Sequence, residues 1–176
     1  SVVGPAGGEI LKDENGQPTG LLVDAAEGLV AGLVPPPTEA TRREMYRAGF
    51  AVYARYGWTG IHFMSAPWGD VPLLETMAGE GEASIRVYNS VTPDGAAALF
   101  ASGPRSVADG RVITRAVKMY ADGALGSRGA ALFEPYADRP DTTGLMQIDG
   151  AAAVPVYEAA LRSGIQIATH AIGDRG

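Results

Sequence analysis

The sequence contains no cysteine, and this absence removes several classes of function at once. A disulfide framework, a thiolate nucleophile and any zinc or iron–sulfur site built on cysteine are all excluded. Aromatic residues make up only 7% and charged residues only 19% of the 176 positions, whereas apolar residues reach 46%. Because that much apolar surface can offset the entropy of ordering the chain, a disordered protein is excluded as well.

Positive charge and long apolar runs are also scarce. Fourteen Lys and Arg residues stand against twenty Asp and Glu residues, and the net charge of −6 is opposite in sign to what a phosphate backbone attracts. Gly, Pro or a charged residue interrupts every apolar run before the roughly 18 residues that a membrane span needs. The opening SVVGPAGGEI lacks the basic region of a signal peptide. We therefore expect no nucleic-acid partner, no membrane partner and a cytoplasmic location.

The two ends of the chain do not read like the ends of a domain. The chain opens with Ser in a Gly- and Pro-rich stretch and closes at HAIGDRG, where Asp174 is a good helix N-cap with no helix after it. We expect residues 1–176 to be part of a larger catalytic domain, truncated at both ends.

Helix and strand signals alternate along most of the chain. Before the alternation begins, the sequence predicts a loop or short hairpin around Asn15-Gly16 and a weak helix over 21–33. The capping-box spacing of Thr41 and Glu44 then starts a longer helix. Strands are predicted, in order along the chain, over 58–64, 85–91, 112–120 and 165–171.

Such alternation specifies parallel strands joined by helical crossovers, either in a barrel or in a doubly wound sheet. Four strands amount to half of an eight-stranded barrel, which takes about 250 residues. The fold class that we predict is therefore α/β, a TIM-type (β/α) barrel of which about half is present. In such sheets the chemistry lies at the carboxyl ends of the strands.

Lys118 lies near the end of the strand predicted over 112–120. Its apolar neighbours suit the face of the strand that helices would cover, and this turns Lys118 inward. The alternation puts Thr114, Ala116, Lys118 and Tyr120 on one face and Ile113, Val117 and Met119 on the other. An inward lysine must find a partner or lose its charge, so the sequence leaves open a functional amine and a structural ion pair.

His170 ends the next predicted strand. In GIQIATHAIGD it shares a face with Gln166 and Ala168, while Ile165, Ile167 and Thr169 share the other. A neutral imidazole at that place suits a metal ligand or a general base. A histidine bonded to a backbone carbonyl at a strand end is the alternative.

Two further segments offer substrate contacts. The glycine-rich loop DGALGSRG lacks the Lys and Ser/Thr pattern of a phosphate loop, and we interpret it as a mobile active-site loop. Asp122 and Arg128 are its candidates for substrate contact, and solvated loop charges are the alternative. His62 lies in WTGIHFM, which has no clean alternation, and packing is its favoured role.

These segments together resemble one known family. The stretches VKMYADGALGSRGAAL, FEPYADRPDTTGL and GIQIATHAIGDRG resemble the signature of the amidohydrolase superfamily, in the branch that includes N-substituted formamide deformylases. PAGGEILKDENGQPTGLLVDAA and GWTGIHFM resemble the segments that precede it in that branch. The resemblance covers nearly the whole chain.

The resemblance implies a metal-dependent hydrolase on a TIM-type barrel that cleaves C–N bonds of amide-like small molecules. Lys118 matches the carboxylated lysine of the fourth strand and His170 the histidine of the fifth, as ligands of one or two divalent metals, usually zinc. The His-x-His pair, the sixth-strand histidine and the last aspartate of the family have no match here, so we expect this piece to be inactive alone. Phe63 stands where the branch tends to have an acidic residue, which weakens any role for His62.

The residue types suit that chemistry. Carbon dioxide adds to a neutral lysine amine to give a carbamate, and paired metals lower the pKa of a shared water and polarise the scissile carbonyl. His62, Asp122, Arg128 and Asp174 are then the expected substrate-binding residues.

Two other classes of function remain open at this point. One is a Schiff-base enzyme that attacks a carbonyl with unmodified Lys118, and the other is a binding or assembly module without catalysis. For the leading interpretation we expect Lys118 and His170 to project into the same space from neighbouring strands. We also expect weak zinc binding or none by this chain, and self-association into a homo-oligomer through exposed strand edges.

Overall fold

The structure is a computed structural model that describes residues 3–5, 8–148 and 150–176, with only the backbone of Asp24. Its internal contacts divide the chain into two compact units. The first unit comprises residues 1–36, 120–149 and 170–176, and the second comprises residues 37–119 and 150–169.

The first unit begins with an antiparallel hairpin. Strand β1 (Gly8–Lys12) pairs with strand β2 (Pro18–Asp24), and Asp13 accepts the backbone N–H groups of Asn15 at 2.9 Å and Gln17 at 2.8 Å in the turn. The predicted hairpin around Asn15-Gly16 is therefore confirmed.

The helix predicted over 21–33 is largely wrong. Its first residues belong to β2, because they pair with β1, and only a short 3-10 turn and the one-turn helix α1 (Gly28–Ala31) follow. A local helical pattern has been overridden by strand pairing.

The second unit alternates helices and strands. Its elements, in chain order, are α2 (Glu39–Arg55), β3 (Gly60–Ala66), α3 (Val71–Gly79), β4 (Arg86–Val91), α4 (Ala96–Ser102), β5 (Arg105–Val107), β6 (Val112–Tyr120), α5 (Gly150–Arg162) and β7 (Gln166–His170). The last residues of β6 and β7 pass into the first unit.

Helix α2 begins three residues before the capping box that the sequence suggests. Thr38 is its N-cap, with extended backbone, and its side chain accepts the N–H of Thr41 at 3.2 Å. Thr38 is the first residue after three prolines. It is therefore the first residue whose side chain can cap a helix with no proline in the turns that follow.

In the described part of the chain five strands form one sheet, in the order β3-β4-β6-β5, with β7 also paired to β6. Strands β3, β4 and β6 are parallel neighbours, with helical connections between them. The short strand β5 is antiparallel to β6 and was not predicted from the sequence. The fold is therefore α/β with a parallel-strand sheet, and the described residues form no closed barrel.

The core of the second unit lies between the sheet and helices α2 and α3. Its members are Phe50, Leu73, Leu74, Met77, Ala78, Ala83, Ile85, Val87 and Val112. Burying side chains of this size contributes about 1.5–3 kcal/mol each. Val87 and Val112 therefore mark the helix-covered face of strands β4 and β6.

A β-bulge at Arg115 changes the faces of strand β6. Asn89 pairs with Thr114 and Ser90 pairs with Ala116, so that Arg115 is one residue more than β4 can match. The prediction that Thr114 shares a face with Lys118 is therefore wrong. Thr114 lies on the helix-covered face, two residues from Val112, and its hydroxyl accepts from the buried Asn89 amide at 3.0 Å.

Beyond the bulge the alternation follows the sequence prediction. Val117 pairs with Val91, which is four residues from Val87 and thus on the helix-covered face. Lys118 consequently lies on the face of β6 turned away from the helices. Among the residues that the structure describes, no helix has the length and apolar character to cross a membrane.

Candidate functional site

Asp122 lies just after β6, at the start of the glycine-rich loop in the first unit, and is fully buried. Its carboxylate accepts three backbone N–H groups: Oδ2 accepts from Ala131 at 3.0 Å and Gly173 at 2.6 Å, and Oδ1 accepts from Ile172 at 3.0 Å. The three donors come from the loop itself and from the segment after β7. One carboxylate therefore links two strand-end segments.

The charge on Asp122 is stable despite burial. Burial by itself raises the pKa of this carboxyl, but the N–H groups of Gly173, Ala131 and Ile172 outweigh it, and its pKa lies below the ordinary value. Because its side chain is fully buried, a direct contact with substrate would require the surrounding backbone to move. The role of Asp122 in substrate binding stays a prediction.

His170 lies beside Asp122 within the same unit. Its Nε2 atom is 3.1 Å from the carbonyl oxygen of Gly123 and 3.7 Å from Oδ1 of Asp122. Its ring lies 5.7 Å from the ring of Tyr120. The structure thus brings together two predicted site residues, and it does so with the backbone-carbonyl contact that the sequence left open as the alternative.

Close backbone approaches fix the same loop. A Cβ atom at Gly173 would lie 1.8 Å from the carbonyl oxygen of Ala131, and one at Gly144 would lie 1.9 Å from that of Ala130. Only glycine allows such contact. Residues 130–131, which directly follow the glycine-rich loop, are therefore packed closely against the backbone at Gly144 and Gly173, whereas residues 124–127 of the loop are exposed. The mobility of the loop stays a prediction.

Asp174 and Arg128 have partners within the first unit. The Oδ1 atom of Asp174 accepts the backbone N–H of Phe133 at 2.9 Å, and the role of Asp174 as a helix N-cap stays a prediction. Arg128 forms an ion pair with Asp138 on the surface. An open cavity of about 240 Å³ lies beside Arg128 and is lined also by Glu9 and Thr142. Their contacts with substrate stay predictions.

Lys118 belongs to the second unit. It is partly buried, its Nζ donates to the carbonyl oxygen of Met119 at 3.2 Å, and burial lowers its pKa. A lowered pKa increases the fraction of neutral amine, which is the form that both carbon dioxide addition and Schiff-base chemistry require. That Lys118 and His170 share one space stays a prediction.

His62 lies on β3 and is exposed. Its ring stacks on the ring of Tyr88, with centroids 4.9 Å apart, and the Tyr88 hydroxyl donates to Gln166 at 2.7 Å. Phe63, the next residue, packs against the core instead. His62 and Gln166 thus share the face of the sheet turned away from α2 and α3.

Tyr88 was missed by the sequence analysis, although its signal was available. In RVYNSV it stands between Val87 and Asn89, at the alternate position that a strand turns away from its covered face. Thr169 lies on the other face of β7, where its hydroxyl is 2.7 Å from the hydroxyl of Tyr157 on α5.

The metal-ligating side chains of the described residues do not form a complete metal site. Among residues 3–5, 8–148 and 150–176, no group of three or more His, Asp or Glu residues could hold a metal ion. A structural zinc site needs four ligands and a catalytic one needs three from the protein. The described residues therefore provide no complete ligand set for the metal that the resemblance implies.

Comparisons with known proteins agree on one family. The model of the amidohydrolase family matches residues 2–176. The chain is 36% identical over 179 residues to the Bacillus subtilis protein named "Putative amidohydrolase YtcJ", covering 97% of this chain and 33% of that protein. It is 32% identical over 183 residues to the Arabidopsis thaliana protein LONG AFTER FAR-RED 3, covering 97% of this chain and 31% of that protein.

Two solved structures share the fold. An uncharacterized metal-dependent hydrolase from Pyrococcus horikoshii matches with a TM-score of 0.76 and 28% identity, covering 93% of this chain and 34% of that one. A second, from Pyrococcus furiosus, matches with a TM-score of 0.76 and 24% identity, covering 94% of this chain and 36% of that one.

The chain thus spans about a third of the length of the relatives that it matches. The family model nevertheless covers the lysine strand, the glycine-rich loop and the histidine strand-end in one continuous match, and the fold agrees with that assignment. This chain belongs to the amidohydrolase family.

Proposed function

We propose that this chain is the part of a metal-dependent amidohydrolase that supplies Lys118 and His170 as metal ligands. The whole enzyme would hydrolyse C–N bonds of small amide-like substrates. Membership of the family and likeness to metal-dependent hydrolases support this. The parallel strands with helical crossovers support, as the complete fold, a TIM-type barrel of which this chain supplies about half.

The observation that carries the proposal is the environment of Lys118. Its amine lies on the sheet face turned away from the helices, and burial lowers its pKa. When carbon dioxide adds to the neutral amine, an N–C bond forms, one proton leaves the nitrogen, and the carbamate carries one negative charge. A carboxylate-like anion on a long side chain is a suitable ligand for zinc, which is the metal that we propose.

The remaining ligands must come from outside the described residues, since these hold no group of three candidates. Within this chain the described residues bind and orient the substrate. Arg128, which is half-buried, and Asp174 and His62, which are exposed, offer polar groups to an amide-like substrate. Asp122 acts by fixing the loop that carries Arg128. This chain alone is expected to be inactive.

The test uses the full-length protein that contains this chain. The sequence has only two lysines, Lys118 and the exposed Lys12 of strand β1, so Lys12→Arg is a matched control for Lys118→Arg. We expect wild type and Lys12→Arg to hold stoichiometric zinc and to release amine from amide substrates. Lys118→Arg should lose both. Zinc and hydrolysis that survive in Lys118→Arg would refute the assignment.

The lowered pKa of Lys118 also favours a second candidate, a Schiff-base enzyme. Borohydride reduction in the presence of a carbonyl substrate separates the two, because only a Schiff base leaves a stable adduct on Lys118. A stoichiometric metal in the full-length protein speaks against a binding module without catalysis. The proposed cytoplasmic location is tested by cell fractionation.

A further inference from the structure

The buried carboxylate of Asp122 does more than neutralise backbone donors. Its oxygens bind Ala131 on one side and Ile172 and Gly173 on the other, so that the loop after β6 is fixed to the segment after β7. His170 immediately precedes that segment, and Gly123 immediately follows Asp122. The bonds of Asp122 therefore hold together the backbones that carry the imidazole and its carbonyl partner.

Within the described residues, the two polar atoms that Nε2 of His170 faces are both hydrogen-bond acceptors. They are the carbonyl oxygen of Gly123 at 3.1 Å and Oδ1 of Asp122 at 3.7 Å. An imidazole nitrogen that faces only acceptors must carry the proton itself. The neutral ring is consequently protonated on Nε2, and the lone pair lies on Nδ1.

We propose that Asp122 is a positioning residue for His170: by joining the two strand-end segments it holds the Gly123 carbonyl against Nε2 and so fixes the orientation and tautomer of the ring. A backbone carbonyl that accepts from one ring nitrogen of a histidine commonly fixes the orientation of the ring for its function. The use of the Nδ1 lone pair as a ligand rests on the proposed function, whereas the orientation of the ring does not.

Asp174 provides a comparison within the same pair of segments. Its carboxylate also accepts a backbone N–H across them, from Phe133 at 2.9 Å, but it is exposed and makes one such bond. If any cross-segment bond sufficed to orient His170, the two aspartates would be equivalent. The proposal requires that they are not.

The experiment is nitrogen NMR on the metal-free 176-residue chain labelled with ¹⁵N-histidine. The sequence has only two histidines, and His62→Gln assigns them. Above the pH range in which histidine titrates, we expect His170 to show a protonated Nε2 and an unprotonated Nδ1. We also expect its Nε2–H proton to exchange with water more slowly than that of the exposed His62.

The variants separate positioning from general loop stability. Asp122→Asn should speed exchange of the His170 Nε2–H proton at least about tenfold, the loss expected when bonds to a charged acceptor are removed. Asp174→Asn removes the same charge and should leave that exchange rate unchanged. Equal effects of the two variants, or no effect of Asp122→Asn in a folded chain, would overturn the proposal.

Circular dichroism shows whether Asp122→Asn is folded. If it is not, the wild-type chain decides: His170 protonated on Nδ1, or an Nε2–H proton that exchanges as fast as that of His62, overturns the proposal. None of these signals depends on bound metal. A failure of the zinc and hydrolysis test in the full-length protein is therefore distinguishable from a failure here.

Discussion

Replacing Gly173 by alanine is the sharpest perturbation of the loop around Asp122. The new Cβ atom would lie 1.8 Å from the carbonyl oxygen of Ala131 and 2.4 Å from its carbonyl carbon. Carbon and oxygen atoms in favourable contact are about 3.3 Å apart, so the segments would have to separate by about 1.5 Å. Because the atoms that collide belong to the backbone, no side-chain rotation relieves the overlap.

That separation breaks identifiable hydrogen bonds. The N–H of Gly173 would leave Oδ2 of Asp122, now at 2.6 Å, and the N–H of Arg175 would leave the carbonyl of Ala131, now at 3.1 Å. A bond to a charged group is worth about 1.5–3 kcal/mol and a neutral one about 0.5–1.5 kcal/mol. We therefore expect Gly173→Ala to lower the free energy of unfolding by about 2–4.5 kcal/mol.

Urea denaturation followed by circular dichroism measures this change. Gly126→Ala, in the glycine-rich loop, is the control, because a Cβ atom there meets nothing within 4 Å and its backbone is outside the left-handed region. Its effect should stay within about 1 kcal/mol of wild type. A Gly173→Ala variant within about 0.5 kcal/mol of wild type, which is less than one net hydrogen bond, would refute the close approach of the two segments.

Four further outcomes are expected. Leu74→Ala, in the core, should cost about 2–5 kcal/mol in urea denaturation, whereas Leu161→Ala, 79% exposed, should cost almost nothing; equal costs would contradict the core assignment. Hydrogen bonds from Arg43 and Arg47 lower the pKa of Glu82 to about 2, so the stability difference between wild type and Glu82→Gln should be present at neutral pH and vanish as the pH falls from about 4.5 to about 2. Thermal unfolding across that range tests the sign. Calorimetry of this chain with zinc should show no submicromolar one-to-one site, and such a site would indicate further ligands, with His62, Asp122 and Asp174 as the candidates. Sedimentation at micromolar concentration should show a dimer or larger assembly, because strand edges and apolar side chains are exposed, and a stable monomer would contradict this.

The sequence predicts the structure correctly where neighbouring residues determine the bounds of an element or the face on which a side chain lies. Strand β6 has the predicted bounds because its apolar run is long and ends at turn residues. Gly103, with a φ of 73°, ends α4 as a helix-terminating glycine should. The alternation in GIQIATHAIGD places Thr169 and Gln166 on opposite faces, as their contacts with Tyr157 and Tyr88 show.

The predictions fail where residues distant in the sequence determine the local structure. The local sequence predicts helix for residues 21–24, but their pairing with β1 makes them part of strand β2. Asp70 directly precedes α3, yet its side chain makes no cap bond there; it accepts from the Tyr46 hydroxyl at 2.5 Å and forms an ion pair with Arg42 at 2.9 Å. Neither partner is visible in the local sequence around Asp70.

The candidate site shows the same division. The residue types at Lys118 and His170 marked their strand ends, but the buried state of Asp122 did not follow from a glycine-rich loop. Its carboxylate is defined by N–H groups up to 51 positions away, at Gly173, and no pattern within the loop specifies them. Long-range backbone bonds of this kind are set by topology rather than by composition.

The bulge at Arg115 allows strand β6 to lose one residue without a change in its pairing with β4. Since Asn89 pairs with Thr114 and Ser90 with Ala116, Arg115 has no pairing partner on β4. Loss of this single residue during evolution would leave the pairing on both sides in register and Lys118 on its present face. Loss of a second residue between Thr114 and Lys118 would find no extra position to absorb it and would turn the lysine towards the helices. Strand β6 can therefore shorten by one residue at the bulge without losing the placement of its amine.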